Sequence, residues 1–370
     1  MTNRLRVTAA VTPSQGAPFE LQQLELDDPR PGEILVRTVA TGICHTDLIV
    51  RDQWYPVPLP AVLGHEGAGV VEAVGEGVTS VTPGDHVIMT YNACGTCRLC
   101  LQGRPAYCDH AFSANFAGSR PDGSLTLRRG DAGIHGAFFG QSSFATHALT
   151  GERNVVKVDP TVPLTLLGPL GCGIQTGAGG VLNSLRPQAG SSIAVFGTGT
   201  VGMSAVMAAV VADCTTIIAV DLNEQRLELA EELGATHSIN PAEGDAVQRI
   251  QELTGGIGVD FTIETTASPK VLRQAVDSLN HGGTCGHIGA AAIGTEVSLD
   301  MHGLLFGRSL RGIIQGDSVP SVFIPRLVDL FKQGRFPVDR LIKTYAFEDI
   351  NTAAQDAEKG RTIKAVLTFA

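Results

Sequence analysis

The chain has 370 residues, is 43% hydrophobic and 17% charged, and carries a formal net charge of −10. That describes a globular protein of about two domains rather than a disordered chain. An acidic balance disfavours the phosphate backbone of a nucleic acid as main partner. No apolar run reaches the roughly 18–20 residues of a membrane span, and residues 1–10 lack the apolar core of a secretory signal. A cytoplasmic protein acting on a small molecule is expected.

Residues 7–40 alternate in short runs, with strands predicted over 21–26 and 33–39 around the turn cluster Asp28-Pro29-Arg30-Pro31-Gly32. A β-rich domain begins here. Cys44-His45-Thr46-Asp47 then sets a thiol, an imidazole, a hydroxyl and a carboxylate side by side, and Gly64-His65-Glu66 follows. Strand and turn resume over 70–85. Cys94, Cys97, Cys100 and Cys108 are spaced C-x2-C-x2-C-x7-C. Four thiolates so spaced can close around one Zn²⁺ and leave no open position. An iron–sulfur cluster is the rival, although the ferredoxin-type ending C-x3-C-P is missing. Residues 112–140 read as irregular loop with a hairpin at Asp122-Gly123. Strands are predicted over 144–147 and 154–158, and Gly171-Cys172-Gly173 follows within a glycine-rich stretch.

From residue 191 the pattern alternates. Strands are predicted over 192–196, 216–220, 237–240, 260–264, 284–288 and 310–314. Helices fall between them over 201–212, 223–233, 242–253, 269–279 and, more loosely, 299–306. Six strands with helical crossovers describe a doubly wound parallel α/β sheet. Its first turn is Gly197-Thr198-Gly199-Thr200-Val201-Gly202, and Asp221 ends the second strand 19 residues past the last glycine. In that context G-x-G-x-x-G is a dinucleotide fingerprint. Gly197 allows the tight turn, Gly199 the approach of a pyrophosphate, and Gly202 close helix packing. The helix start at Thr200 and Val201 would present its first N–H groups to phosphate. Helix is predicted over 319–333, then strand 345–350, helix 351–360 and strand 364–369. The last strand is expected to return to the first domain.

Cys44, His65 and Cys172 together make a catalytic zinc set with a fourth position open. A metal so held is a Lewis acid that lowers the pKa of an alcohol. A nicotinamide dinucleotide beside it implies hydride transfer. On these motifs, in this order, the chain resembles the zinc-dependent alcohol dehydrogenases of the medium-chain dehydrogenase/reductase superfamily. Over residues 44–53 it looks most like the bacterial aryl (benzyl) alcohol dehydrogenases.

The resemblance implies a discontinuous GroES-like catalytic domain, 1–173 and 317–370, with a Rossmann NAD-binding domain at 174–316. It implies NAD and two Zn²⁺ per chain, and a homodimer or homotetramer paired through the 310–314 edge. Cys44, His65 and Cys172 would ligate the catalytic zinc, and the four-cysteine lobe the structural one. Asp47 would fix the His65 tautomer and Glu66 would sit behind the metal. Thr46 would take the proton of the alcohol. His45 and Lys364 would meet cofactor phosphates, Thr176 and Ala290 the nicotinamide, and Asp221 and Arg226 the adenosine ribose. A carboxylate at Asp221 favours NAD over NADP. Many members carry a relay histidine where this chain has Ile49.

Trp54, Tyr55, Tyr91 and Asn92 flank these motifs, and an aromatic lining suits benzyl, cinnamyl or allylic alcohols. Core packing is the competing reading of those side chains. The alternatives are a thiol-adduct-dependent formaldehyde dehydrogenase and a terpene (geraniol-type) alcohol dehydrogenase. A zinc module binding nucleic acid or protein is disfavoured by the net charge and the complete ligand set.

Overall fold

A computed structural model describes residues 4–370. Residues 1–3, part of the stretch read as lacking a secretory signal, lie outside them. The chain forms two compact units. The first runs to Cys172 and regains Val319–Asp329 and Asp339–Ala370. The second holds Gly173–Ser318 and Leu330–Val338.

The first unit is built on strands β1 (Leu5–Thr12), β2 (Glu20–Leu26), β3 (Glu33–Gly42), β4 (Ala61–Val62), β5 (Gly67–Val74), β6 (His86–Met89), β7 (Leu127–Arg129), β8 (Ala132–Ile134), β9 (His147–Gly151) and β10 (Val155–Lys157). One sheet has the order β4-β1-β2-β7-β8. In the other, β10-β6-β5-β3 continues into the C-terminal strands, and β9 also pairs with β3. The second unit contributes β11 (Ser192–Phe196), β12 (Thr216–Val220), β13 (His237–Ile239), β14 (Val259–Glu264), β15 (Leu279–His287) and β16 (Ser309–Gly312), and β17 (Ile342–Ala346) and β18 (Lys364–Thr368) close the first unit. β18 runs antiparallel to β3 with Val366 opposite Gly42, so the chain end does return to the first unit. Alternation of buried and exposed side chains in β1 and β3 builds the core, where Phe138, Phe144, Leu63 and Ile134 are buried.

One end of the second sheet collects the chemistry. β3 stops at Gly42, two residues before Cys44. β5 starts at Gly67, just after His65 and Glu66, and Thr41 pairs with Gly67. β18 begins at Lys364.

In the second unit the strand order is β13-β12-β11-β14-β15-β16, every neighbouring pair parallel. This is the doubly wound order, with its switch point between β11 and β14. The helix Thr200–Val211 follows β11 directly, and a Cβ on Gly202 would lie 1.8 Å from the Gly197 carbonyl oxygen. Only glycine allows that packing.

Some boundaries differ from expectation. The hairpin of the irregular region joins β7 to β8 rather than forming at Asp122-Gly123. There the Asp122 carboxylate accepts from Ser124 N and Oγ and closes a local turn instead. Residues 112–116, expected as loop, lie in the helix Ala111–Phe116. The strand expected over 345–350 lies at Ile342–Ala346, because Phe347–Asp349 already turns toward the helix Ile350–Glu358. The strand expected over 144–147 pairs with β1 only through an Ala145–Ala9 bridge before β9 begins at His147, and β15 starts earlier than expected, at Leu279.

Candidate active site

Cys44, His65, Glu66 and Cys172 converge in the first unit, each offering one ligand atom within 4.8 Å of the others. Cys44 is the N-cap of the helix His45–Arg51, whose first turn carries Thr46 and Asp47. The Asp47 carboxylate ties the cluster together. Oδ2 accepts from the Cys44 amide at 2.9 Å, and Oδ1 accepts from the Gly64 amide at 3.1 Å. Oδ1 also lies 2.7 Å from His65 Nδ1. A proton on Nδ1 leaves the Nε2 lone pair free, and Nε2 is buried with no hydrogen-bond partner among the described residues. A buried acceptor of that kind beside two thiols is the donor set of a zinc site.

The buried groups of this cluster shift one another's titration. A hydrogen bond from Cys172, aided by His65, holds the Cys44 thiol well below its usual range against the effect of burial. Cys172, on the other side of that bond and buried, is pushed well above. Burial opposes a charged His65, but Asp47 outweighs it and lifts the imidazole well above its ordinary value. Burial raises the Glu66 carboxyl, opposed by Lys364. A Cβ on Gly42 would sit within 2.0 Å of Glu66 Oε2, so the strand end must be glycine for the carboxylate to fit.

Lys364, expected at a cofactor phosphate, is engaged elsewhere. Its ammonium is 3% exposed and donates to Glu66 Oε2 at 2.8 Å, Glu66 Oε1 at 3.0 Å and the Ile43 carbonyl at 3.1 Å. An unpaired carboxylate at that depth is costly, and the cation compensates it.

The rings next to His65 are phenylalanines, and of the aromatic residues expected only Tyr55 joins their row. Phe139 stacks on the imidazole at 4.4 Å and 25°, and Phe138 meets it edge-on at 5.5 Å. Phe116 touches both phenylalanines, and Phe112 and Tyr55 extend the row. Tyr91 is packed in the core and Trp54 stands half exposed at the surface. The scattered phenylalanines of 112–140 were the available signal, obscured by the irregular backbone that carries them.

The second cluster is the cysteine lobe. Cys94 and Cys100 Sγ are 4.0 Å apart, as are Cys97 and Cys108 Sγ. Zn–S bonds of about 2.3 Å in a tetrahedron imply edges of about 3.8 Å, whereas a disulfide needs about 2.0 Å. The sulfurs therefore fit one ion and lie too close together to enclose a multi-iron cluster. Backbone amides of Cys94, Thr96, Cys97, Asp109 and His110 point at three of them, as thiolates require.

In the second unit, Asp221 Oδ2 accepts from Thr198 N at 2.7 Å and Thr198 Oγ1 at 2.9 Å, joining the acid to the glycine turn. Arg226 lies in the helix after β12, its Nε buried without a partner among the described residues. Thr176 Oγ1 is 3.5 Å from Gln315 Oε1, and Ala290 is exposed just past β15. His45 is exposed at the start of its helix in the first unit.

A parallel sheet with a glycine fingerprint in one unit and thiolate–imidazole donors in the other define a metal-dependent dehydrogenase. Comparison with known proteins makes the class specific. Residues 30–160 match the alcohol dehydrogenase GroES-like domain, and residues 200–333 match the zinc-binding dehydrogenase domain. Geraniol dehydrogenase of Castellaniella defragrans is 45% identical over 98% of this chain and 97% of its own length. The crystal structure of benzyl alcohol dehydrogenase from Acinetobacter calcoaceticus superposes with TM-score 0.96 at 51% identity, covering 99% of this chain and 100% of that one. An alcohol dehydrogenase zinc-binding domain protein from Burkholderia ambifaria gives TM-score 0.98 at 56% identity, with both chains fully covered. The chain belongs to the zinc-dependent alcohol dehydrogenases of the medium-chain dehydrogenase/reductase superfamily. It is an oxidoreductase acting on alcohols.

Proposed function

We propose that this enzyme oxidises aryl and allylic primary alcohols to aldehydes, reversibly, with NAD as hydride acceptor. The observation that carries the substrate class is the aromatic stack on His65, which sets apolar rings beside the metal donors. Cys44, His65 and Cys172 would hold the catalytic zinc, and Cys94, Cys97, Cys100 and Cys108 the structural one. Bound there, zinc supplies the Lewis acidity that eases loss of the alcohol proton.

The side chains supply the rest. Asp47 keeps the His65 proton on Nδ1. Glu66 and Lys364 form a compensated pair behind the thiolates. Thr46 Oγ1 takes the alcohol proton. Ile49 is buried and cannot carry it further, so it leaves by water or by the exposed His45. Replacing Ile49 by His should leave the pH–rate profile of oxidation unchanged if that route suffices; a shifted profile would show that Ile49 limits the relay. The glycine turn holds the pyrophosphate, with Arg226 over the adenosine ribose. Asp221 accepts from the ribose hydroxyls and repels a 2′-phosphate. Thr176 and Ala290 face the nicotinamide.

None of the eight cysteines is in a disulfide, which supports a reducing, cytoplasmic setting. Among the described residues no helix is long and apolar enough to cross a membrane. The edge strand β16, with exposed Leu310 and with Met301 and Leu305 nearby in the sequence, supports pairing between chains as a homodimer or homotetramer.

A terpene alcohol is the second reading, favoured by the likeness to a geraniol dehydrogenase. Comparing kcat/KM for benzyl, cinnamyl, geranyl and ethyl alcohols with NAD⁺ and NADP⁺ tests both. Ethanol ahead of the others would overturn the substrate class, geraniol well ahead of benzyl alcohol would favour the terpene reading, and NADP⁺ preference would overturn the role of Asp221.

A further inference from the structure

Gln141 is buried, and its side chain makes hydrogen bonds to two other segments. Its Nε2 donates to the His65 carbonyl at 3.0 Å and to the Thr90 carbonyl at 3.3 Å. Its Oε1 accepts from the Gly67 amide at 3.1 Å. Thr90, fully buried at the end of β6, donates its hydroxyl to the Gly171 carbonyl at 2.7 Å. Gly171 immediately precedes Cys172. Two buried side chains thus connect the backbone at His65 with the backbone at Cys172, positions more than a hundred residues apart in the chain.

The segment that delivers Gln141 is held in an unfavourable conformation. Ala137, Phe139 and Ser142 all have φ between 50° and 54°, the left-handed region that none of these side chains favours. Each such residue is disfavoured and persists only where its surroundings over-determine it. The surroundings do so here. Ser142 Oγ accepts from the Phe138 amide at 2.9 Å and donates to the Val62 carbonyl at 2.7 Å. Ser143 Oγ lies 2.8 Å from Thr41 Oγ1. The turn presents the Gln141 amide to the backbone of the His65 segment and the Phe139 ring to its imidazole.

We propose that Gln141 and Thr90 are positioning residues that fix the spacing of His65 and Cys172 and so retain the metal between them. Both act through hydrogen bonds to the backbone that carries the ligands. The proposal rests on the reading that Cys44, His65 and Cys172 hold zinc. None of these four bonds involves the cysteine lobe, so that site serves as an internal control.

The test uses the purified zinc-loaded protein and two nearly isosteric variants. Gln141→Met keeps the length of the side chain and removes its polar atoms without burying a charge, and Thr90→Val removes only the hydroxyl. Zinc content is measured first, then the rate of zinc release to a chromogenic chelator, with Cys97→Ser identifying the phase that belongs to the lobe. The expected result is two zinc ions per chain in the parent and roughly 10–100-fold faster release of the non-lobe ion in both variants. The lobe phase and the melting temperature should stay close to those of the parent. A purely packing role would lower the melting temperature without selective release. Unchanged release, or equal acceleration of both phases, would overturn the proposal while leaving the site reading intact. One zinc per chain, lost entirely in Cys97→Ser, would overturn both.

Discussion

Asp47 and His65 share a fully buried 2.7 Å hydrogen bond. The same carboxylate takes the Cys44 and Gly64 amides, so one side chain fixes both a thiol and an imidazole of the cluster. An asparagine has a single acceptor oxygen and would bring its own N–H groups against some of these donors. For Asp47→Asn we expect zinc affinity at this site and kcat/KM to fall roughly 10–100-fold, measured by chelator competition and steady-state kinetics. Affinity equal to that of the parent would show that Asp47 does not orient His65.

The Asp221 carboxylate is joined to the glycine turn through Thr198. Replacing it with serine removes a negative charge from the proposed place of a 2′-phosphate. The ratio of kcat/KM for NAD⁺ over NADP⁺ should fall roughly 10–100-fold, since like charges held together cost several kcal/mol. The comparison is made at one fixed ionic strength, because salt screens the effect.

Much of this second unit was legible in the sequence. Ser192–Phe196 and Thr216–Val220 are buried parallel strands, and these read as short apolar runs between turns. The metal donors were legible because thiols and an imidazole carry chemistry whatever their backbone does. The turn at 137–143 was not legible. Its left-handed residues are Ala, Phe and Ser, so no local preference announces it, and only contacts with distant segments impose it. Lys364 was placed at a phosphate by resemblance alone, and nothing local in the sequence reveals its pairing with Glu66, 298 residues away.

Phe139 stacks on His65 at the proposed aryl site. Phe139→Leu keeps the apolar character and removes the ring. We expect kcat/KM for benzyl alcohol to fall roughly tenfold relative to that for 1-hexanol, in line with about 0.5–1.5 kcal/mol for an aromatic contact. Equal loss for both alcohols would indicate damage to the site rather than lost aryl selectivity.

Asp356 accepts from Tyr345 at 2.8 Å and from Arg361 at 2.7 Å, and pairs with Lys343. The Tyr345 hydroxyl first, then Arg361, hold its carboxyl down to about 2. A depressed folded-state pKa stabilises the protein above the unfolded value of about 3.9 and loses that contribution as pH falls toward about 2. Denaturant titrations of Asp356→Asn and the parent should therefore differ by a constant amount from pH 7 to about 5. The gap should narrow below pH 4. A gap independent of pH would mean that the carboxylate charge is not what stabilises this corner.

The proposed reaction is hydride transfer from an alcohol carbon to NAD. Benzyl alcohol carrying two deuterium atoms on its alcohol carbon, incubated with NAD⁺ and the zinc-loaded enzyme, tests that directly. Mass spectrometry of the reduced cofactor should show one deuterium per molecule, with deuterated benzaldehyde as coproduct. Unlabelled NADH, or no reduction by an enzyme carrying both zinc ions, would contradict the account.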